Sequence, residues 1–155
     1  MKLITPLGDR RLGDRAVHPT RFSVAAFKDL KMATHPLPMR NKIADIVTGL
    51  IDGSSGPGFL LLLTETGVEA ARLQFSKPSF SPAVDGVAEA FAINNDISAV
   101  GGVVAKARLV DSYDNPVLTC SVTKIGDGGD IQLSALQIGP GQEVSVTALS
   151  YVAPP

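Results

Sequence analysis

Three short turns contain clusters of acids and amides, whose oxygen atoms are the side-chain groups best suited to bind Ca²⁺. The clusters are Asp127 and Asp130 in one turn, Asp111, Asp114 and Asn115 in a second, and Asn94, Asn95 and Asp96 in a third. A calcium loop of the EF-hand type needs such ligands at alternating positions followed by a Glu, and none of the turns has that pattern. The same residues are common in ordinary hairpin turns. We therefore predict no metal site and no other cofactor.

The only cysteine, Cys120, is the strongest candidate for a catalytic nucleophile. A catalytic thiol needs a base beside it. The two histidines, His18 and His35, both lie in the N-terminal segment, whereas Cys120 lies far along the chain. We therefore expect Cys120 to be a small apolar residue on a strand.

Two further kinds of site are poorly supported by the residues. A glycosidase needs two carboxylates in one cleft, and no pair stands out among the acids of the chain. There is no Trp, and aromatic residues make up only 5% of the chain, which leaves little material for a sugar-stacking surface. Residues 53–58 contain three glycines, but no Gly-Lys-Ser/Thr follows, so they do not form a phosphate-binding loop. We predict that the protein is not an enzyme.

Charge is distributed very unevenly along the chain. Residues 1–42 contain nine Lys/Arg and three Asp, a net charge of +6. Residues 43–155 contain five Lys/Arg and twelve Asp/Glu, a net charge of −7. Parts of opposite charge attract each other, within one molecule or between neighbouring copies. This distribution favours a protein that assembles with others.

Residues 1–35 show no sustained periodicity, because Pro and Gly interrupt them, yet they contain scattered apolar side chains. We predict an extended basic arm that docks on a neighbouring protein. The expected contact residues are Arg10, Arg11, Arg15, Arg21, Phe22 and Phe27. Nucleic acid is the less favoured partner, because only two of these arginines are adjacent and acids are interleaved with the basic residues. Within the arm, residues 23–32 fit either a short helix or a strand.

Residues 36–52 have the periodicity of an amphipathic helix. Pro36 and Pro38 suit its N-terminal boundary, and Gly53 suits its C-terminal end. Apolar residues recur three and four positions apart and form one stripe. The stripe consists of Met39, Ile43, Ile46, Val47, Leu50 and Ile51.

From residue 59 onward, apolar residues follow the period of two that is typical of β-strands. We predict strands at 59–64, 70–75, 87–93, 103–110 and 117–122, one or two within 131–138, and a last one at 143–152. Turn residues separate them. The pattern predicts a mainly β fold, an antiparallel β-sandwich or jelly roll with one short α-helix and an extended N-terminal arm. The arm would occupy residues 1–35, and the helix plus β-sandwich domain residues 36–155.

Two of the predicted strands have a clear division between their faces. In the strand at 103–110 one face carries Val103, Ala105, Ala107 and Leu109. In the strand at 117–122 one face carries Leu118, Cys120 and Val122. We expect these faces to point towards the core.

The sequence favours a protein that is assembled in a reducing cytosol. A single cysteine allows no intrachain disulfide, which fits a reducing environment. The longest apolar run, at 59–63, is too short to span a membrane. The first residues lack the continuous apolar stretch of a signal peptide. We expect no membrane association.

Eight short segments between residues 39 and 152 form a recognisable series. They are MRNKIAD at 39–45, GLID at 49–52, GSSGPG at 53–58, LQFSKPSF at 73–80, GVAEAFAI at 86–93, ARLVDS at 107–112, DIQL at 130–133 and IGPGQEVSVT at 138–147. Together they resemble a family of small virion structural proteins of tailed bacteriophages. The basic arm precedes the shared pattern.

The resemblance implies a β-rich fold and a structural role in the virion. We expect a capsid cement or decoration protein that is assembled in the bacterial host cytoplasm. Its partners would be the major capsid protein and copies of itself, in a homo-oligomer such as a trimer. One alternative is a tail, collar or head-completion ring protein, and a second is a carbohydrate-binding sandwich module.

Overall fold

The computed structural model of the protein describes residues 34–155, so the six predicted contact residues of the arm lie outside the described part. The described part contains one helix, α1 (Leu37–Gly49), and nine strands. The strands are β1 (Phe59–Thr64), β2 (Glu69–Phe75), β3 (Val87–Glu89), β4 (Ile93–Asn94), β5 (Gly102–Val110), β6 (Pro116–Lys124), β7 (Ile131–Leu133), β8 (Gln137–Ile138) and β9 (Ser150–Val152). The predicted mainly β fold with one short helix is confirmed. The proposed division of the chain at residue 35 stays a prediction.

Seven of the strands form one curled sheet in the order β4-β2-β1-β5-β6-β7, with β8 also paired to β5. Strands β3 and β9 form a separate antiparallel pair. The large sheet is mixed, because β7 runs parallel to β6 while the other neighbours are antiparallel. The connection between β6 and β7 contains Gly126 and Gly128 at positive φ, which lets the chain turn back beside the strand that it has just left.

Strand β1 is central in this sheet and apolar on both faces. Leu60 and Leu62 are buried in the main core. Leu61 and Leu63 are buried on the opposite face, together with Val110 of β5. A continuous apolar run is typical of a strand that is covered on both sides, which explains why this strand has the bounds that its sequence predicts.

Strand β5 contains a bulge that reverses part of its predicted facing. Val104 is 1% exposed and lies in the main core, whereas Val103 is 56% exposed. The register between β1 and β5 shifts between Leu63 and Thr64, which leaves Ala105 without a partner on β1. One extra residue exchanges the two faces on its N-terminal side. The prediction that Val103 faces the core is therefore wrong.

Helix α1 and the turn that follows it are attached to the loop at residues 79–86 by three polar side chains that accept backbone hydrogen bonds. The bonds run from Gly86 to Asn41 (2.6 Å), from Ala83 to Asp45 (2.7 Å) and from Ser79 to Asp52 (2.7 Å). The first two acceptors are four residues apart, so they lie on one side of the helix. The polar side of α1 thus faces the protein.

The predicted apolar stripe of the helix is consequently only partly buried. Of its six members only Ile51 is fully buried, and it lies beyond the end of α1 at Gly49. The helical residues that are buried are Ala44 and Thr48, and the Thr48 hydroxyl donates to the carbonyl oxygen of Ala44 (2.8 Å). The exposed members of the stripe are Met39, Ile46 and Leu50.

The segment at 87–93 forms two strands instead of the single one predicted. Strand β3 pairs with β9, and β4 pairs with β2 in the large sheet. Between them, the backbone N–H of Ala90 donates to Leu149 (2.8 Å) and that of Phe91 donates to Ser79 (2.9 Å). These bonds turn the chain from one sheet to the other. The last predicted strand is likewise limited to β9, while residues 131–138 do form two strands.

Candidate interaction groove

Carboxylates in the three turns rich in acids and amides hold those turns together. Asp111 accepts hydrogen bonds from the backbone N–H groups of Tyr113 (2.8 Å) and Asn115 (2.9 Å) and from the side chain of Asn115 (2.8 Å). The Asn115 side-chain bond is the main cause of a lowered pKa of Asp111. This arrangement is an Asx turn, and it uses the carboxylate oxygens that a cation would need.

Asp130 has a similar role at the end of the turn before β7. Its Oδ2 accepts from the backbone N–H (2.8 Å) and from the hydroxyl (2.7 Å) of Ser121. These two bonds, the backbone one first, lower the pKa of Asp130. The turn is closed further by the N–H of Gly129, which donates to Thr123 Oγ1 (3.0 Å).

Two further acids of these turns, Asp96 and Asp114, are also occupied by protein partners. Asp96 accepts from the backbone N–H groups of Arg72 (2.9 Å) and Ser98 (3.0 Å). Asp114 forms an ion pair with the Arg72 guanidinium (2.9 Å). Within residues 34–155, no three His, Cys, Asp or Glu side chains come together in a way that suits a metal ion.

Cys120 lies half-buried on β6. Burial raises the pKa of its thiol, and the nearby negative charge of Asp130 raises it further. A thiol with a raised pKa carries less of the reactive thiolate at neutral pH. The environment of Cys120 is therefore that of a packing residue at the side of a groove.

That groove, the β6 groove, lies on the core face of the sheet beside β6 and has a volume of about 340 Å³. Its lining residues are Phe80, Leu109, Leu118, Thr119, Cys120, Asp130, Ile131, Leu149, Ser150, Tyr151 and Val152. A larger and more polar hollow of about 570 Å³ shares Asp130, Ile131, Leu149 and Ser150 with it. The two hollows adjoin at these four residues.

The groove lies between β6 and β9, whose residues Ser150, Tyr151 and Val152 line it, and this packing leaves the core face of β6 partly exposed. Helix α1 packs against β3 and β9. As a result, Leu118 and Cys120 are only half-buried, whereas Leu60 on β1 and Leu73 on β2 have no exposed surface. The core that is complete under β1 and β2 thus ends in an accessible apolar depression.

The outer edge of β6 is open next to the same groove. Strand β7 pairs only with the last part of β6, from Val122 onward. Ser121 gives its N–H to Asp130, so the Ser121–Lys106 pair is not hydrogen-bonded across the ladder. Since bonding alternates along an antiparallel pair, the N–H and C=O of Thr119 also point away from β5. No residue of the described part pairs with that edge at Thr119.

The few charges along the β6 groove and the adjoining hollow are negative. Among the described lining residues of the two hollows, the charged side chains are Asp130 and Glu143, and none is Lys or Arg. An apolar groove with acids and an open strand edge can bind an extended segment that carries apolar and basic side chains.

Comparison with known proteins finds no match to any protein family, to any curated protein or to any solved structure. In the part of the chain that the structure describes, no helix is long and apolar enough to cross a membrane.

The groove was not foreseen from the sequence, although one component was. The predicted common face of Leu118, Cys120 and Val122 is confirmed, because all three contact the main core. Nothing in the spacing of these residues indicates that Leu118 and Cys120 are left partly exposed by the elements packed opposite them. The predicted contact residues Arg10, Arg11, Arg15, Arg21, Phe22 and Phe27 lie in residues 1–33 and stay a prediction.

Proposed function

We propose that the protein is a cement or decoration protein of a tailed-bacteriophage capsid, assembled in the cytoplasm of the bacterial host. In this role it stabilises the head through contacts to the major capsid protein and to its own copies. The resemblance of residues 39–152 to small phage virion proteins supports the class. The opposite charges of the N-terminal and C-terminal parts support assembly between copies.

The single observation that carries the proposal is the open edge of β6 beside a largely apolar groove that contains Asp130 and no basic residue. An exposed strand edge is a template for pairing with another chain. Main-chain hydrogen bonds at such an edge, with side chains in an adjacent groove, are a common way to bind an extended segment. The basic N-terminal arm has the composition that such a site would bind.

A shell protein gains attachment strength from repetition. Each copy that is joined to a neighbour holds the next contact at high effective concentration, so modest single contacts give strong attachment together. The exposed apolar stripe of α1, formed by Met39, Ile46 and Leu50, offers a further contact surface for a capsid partner.

Deletion of residues 1–35 tests the proposal. The full chain and the deletion variant are each added to particles that lack the protein, and bound protein is quantified after sedimentation. We expect the full chain to bind, and the deletion variant to stay folded by circular dichroism but fail to attach. Attachment of the deletion variant at full occupancy would show that the arm has no part in it.

The two alternative functions predict different outcomes in binding assays. A tail, collar or head-completion ring protein would bind at a few copies per particle instead of covering the shell. Binding to a glycan array without binding to particles would instead favour a carbohydrate-binding module.

A further inference from the structure

We propose that the β6 groove of one copy receives residues 21–27 of the N-terminal arm of a second copy, as an added strand on the edge of β6. This inference deepens the proposed function, on which it rests, by naming the surface and the segment through which copies join. The segment reads Arg21-Phe22-Ser23-Val24-Ala25-Ala26-Phe27.

The backbone of β6 has hydrogen-bonding groups that an added strand could use. Thr119 directs its N–H and C=O away from β5, and no described residue pairs with it there. Residue 121 marks the end of the open stretch, because the Asp130 carboxylate already satisfies its N–H. An extended segment can therefore pair with β6 on the N-terminal side of Ser121 without displacing β7.

The alternation of side chains along residues 21–27 matches the apolar groove. Successive side chains of a strand point to opposite faces of the sheet. Leu118 and Cys120 of β6 point into the groove. In an extended strand at residues 21–27, Phe22, Val24 and Ala26 would share one face. If that face is on the same side of the sheet as Leu118 and Cys120, it places three apolar side chains over the groove.

Charge favours this occupant over a neutral one. Residues 1–33 contain seven Lys/Arg and three Asp, whereas residues 34–155 contain seven Lys/Arg and twelve Asp/Glu. The described lining of the groove and of the adjoining hollow has two acids, Asp130 and Glu143, and no basic residue. Arg21 at the start of the segment can thus approach acidic surface without repulsion from a lining cation.

The length of chain also suits a contact between copies. Nine residues separate Phe27 from Leu37, where α1 begins, and the ten steps from one Cα to the other span at most about 35 Å when the chain is extended. A segment with that reach can extend beyond its own domain to a neighbouring copy.

A disulfide trap with the natural Cys120 tests the inference directly. One full-length chain carries Val24→Cys and Cys120→Ser with a size tag, and the other is the unmodified chain, so neither can form an internal disulfide. The two are expressed together and oxidised with diamide, and the products are separated by non-reducing electrophoresis. We expect a mixed, tagged-plus-untagged dimer that disappears on reduction.

Matched controls identify the register. Ser23→Cys in place of Val24→Cys moves the thiol to the other face of the strand, and we expect at least about fivefold less mixed dimer. Thr119→Pro removes the outward N–H and should reduce the yield by a similar factor, while Thr119→Val, which keeps that N–H, should not. Equal yields from Val24→Cys and Ser23→Cys, or from Thr119→Pro and Thr119→Val, contradict the proposed strand.

Two other outcomes also overturn the inference. A single chain with Val24→Cys and the natural Cys120 that forms only an internal disulfide shows that the occupant is the same copy. No disulfide in either design shows that the segment binds elsewhere.

If the mixed dimer is absent while deletion of residues 1–35 still abolishes particle attachment, the proposed function stands without this contact. If the dimer forms but the protein does not attach to particles, the contact stands without that function.

Discussion

Asn41, Asp45 and Asp52 attach α1 and the turn after it to the loop at residues 79–86, and loss of Asp52 should cost the most stability. Its carboxylate accepts a 2.7 Å hydrogen bond from the backbone N–H of Ser79, a residue with no exposed surface. Substitution Asp52→Ala leaves that N–H without a partner where water has little access. The corresponding bond from Ala83 to Asp45 lies at an exposed position, so water can replace the carboxylate there.

The difference between these two sites sets the expected magnitudes. A buried donor left unsatisfied costs about 1–3 kcal/mol, whereas an ordinary hydrogen bond contributes about 0.5–1.5 kcal/mol. We expect Asp52→Ala to lower the free energy of unfolding by about 2 kcal/mol and Asp45→Ala by about 0.5 kcal/mol. For a folded part of about 120 residues, a loss of 2 kcal/mol lowers the midpoint temperature by about 8 °C.

Urea unfolding of the full chain, followed by far-ultraviolet circular dichroism, measures both losses. Asp52→Asn serves as the matched control, because it keeps an oxygen acceptor and should lose about half as much as Asp52→Ala. The denaturant dependence should stay the same in all variants, so that the midpoints compare stability alone. If Asp52→Ala and Asp45→Ala lose the same free energy, burial of the Ser79 N–H is not what makes this bond important.

Three other predictions concern a glycine, a carboxylate and salt. Gly58→Ala would overlap the carbonyl oxygen of Val110 and should cost about 3 kcal/mol or more in urea unfolding, whereas Gly49→Ala, which meets open space, should be neutral or stabilising. Because hydrogen bonds from Ser121 hold the folded-state pKa of Asp130 below its ordinary value, Asp130 adds stability above that ordinary value. This stability is lost as pH falls through the lowered pKa. The urea midpoint of Asp130→Asn should therefore fall less steeply than that of the unmodified chain below about pH 4. Equal pH dependence of the two midpoints would show that the Asp130 carboxylate does not stabilise the folded state. Raised salt should weaken attachment of the arm, and salt-independent attachment would assign the binding to its apolar side chains.

Much of the fold follows from local pattern. Strand β1 has the bounds that its apolar run predicts, because such a run must be covered on both sides wherever it lies. Strand β5 is predicted to within one residue, and β6 to within a few. In these strands the alternation of apolar side chains and the flanking turn residues agree, so local sequence suffices.

Other features depend on contacts between distant residues. Asn41, Asp45 and Asp52 have the chemistry of a solvent-facing side of a helix, yet they bind backbone donors of the loop at 79–86. The bulge at Ala105 arises from the register with β1, which periodicity within β5 does not reveal. The β6 groove likewise depends on long-range packing, because α1 packs against β3 and β9 and β7 pairs with β6 only from Val122 onward. The apolar face of β6 could be predicted from the sequence, but the groove beside it could not.

The most direct test of the proposed role is cryo-electron microscopy of the intact phage particle that carries this protein. We predict density for the β-rich domain over the whole icosahedral shell, with residues 21–27 of one copy lying along β6 of the next. Density confined to one vertex or to the tail would contradict the cement role and favour a ring protein. A particle with no density for the domain would contradict a structural role in the virion altogether.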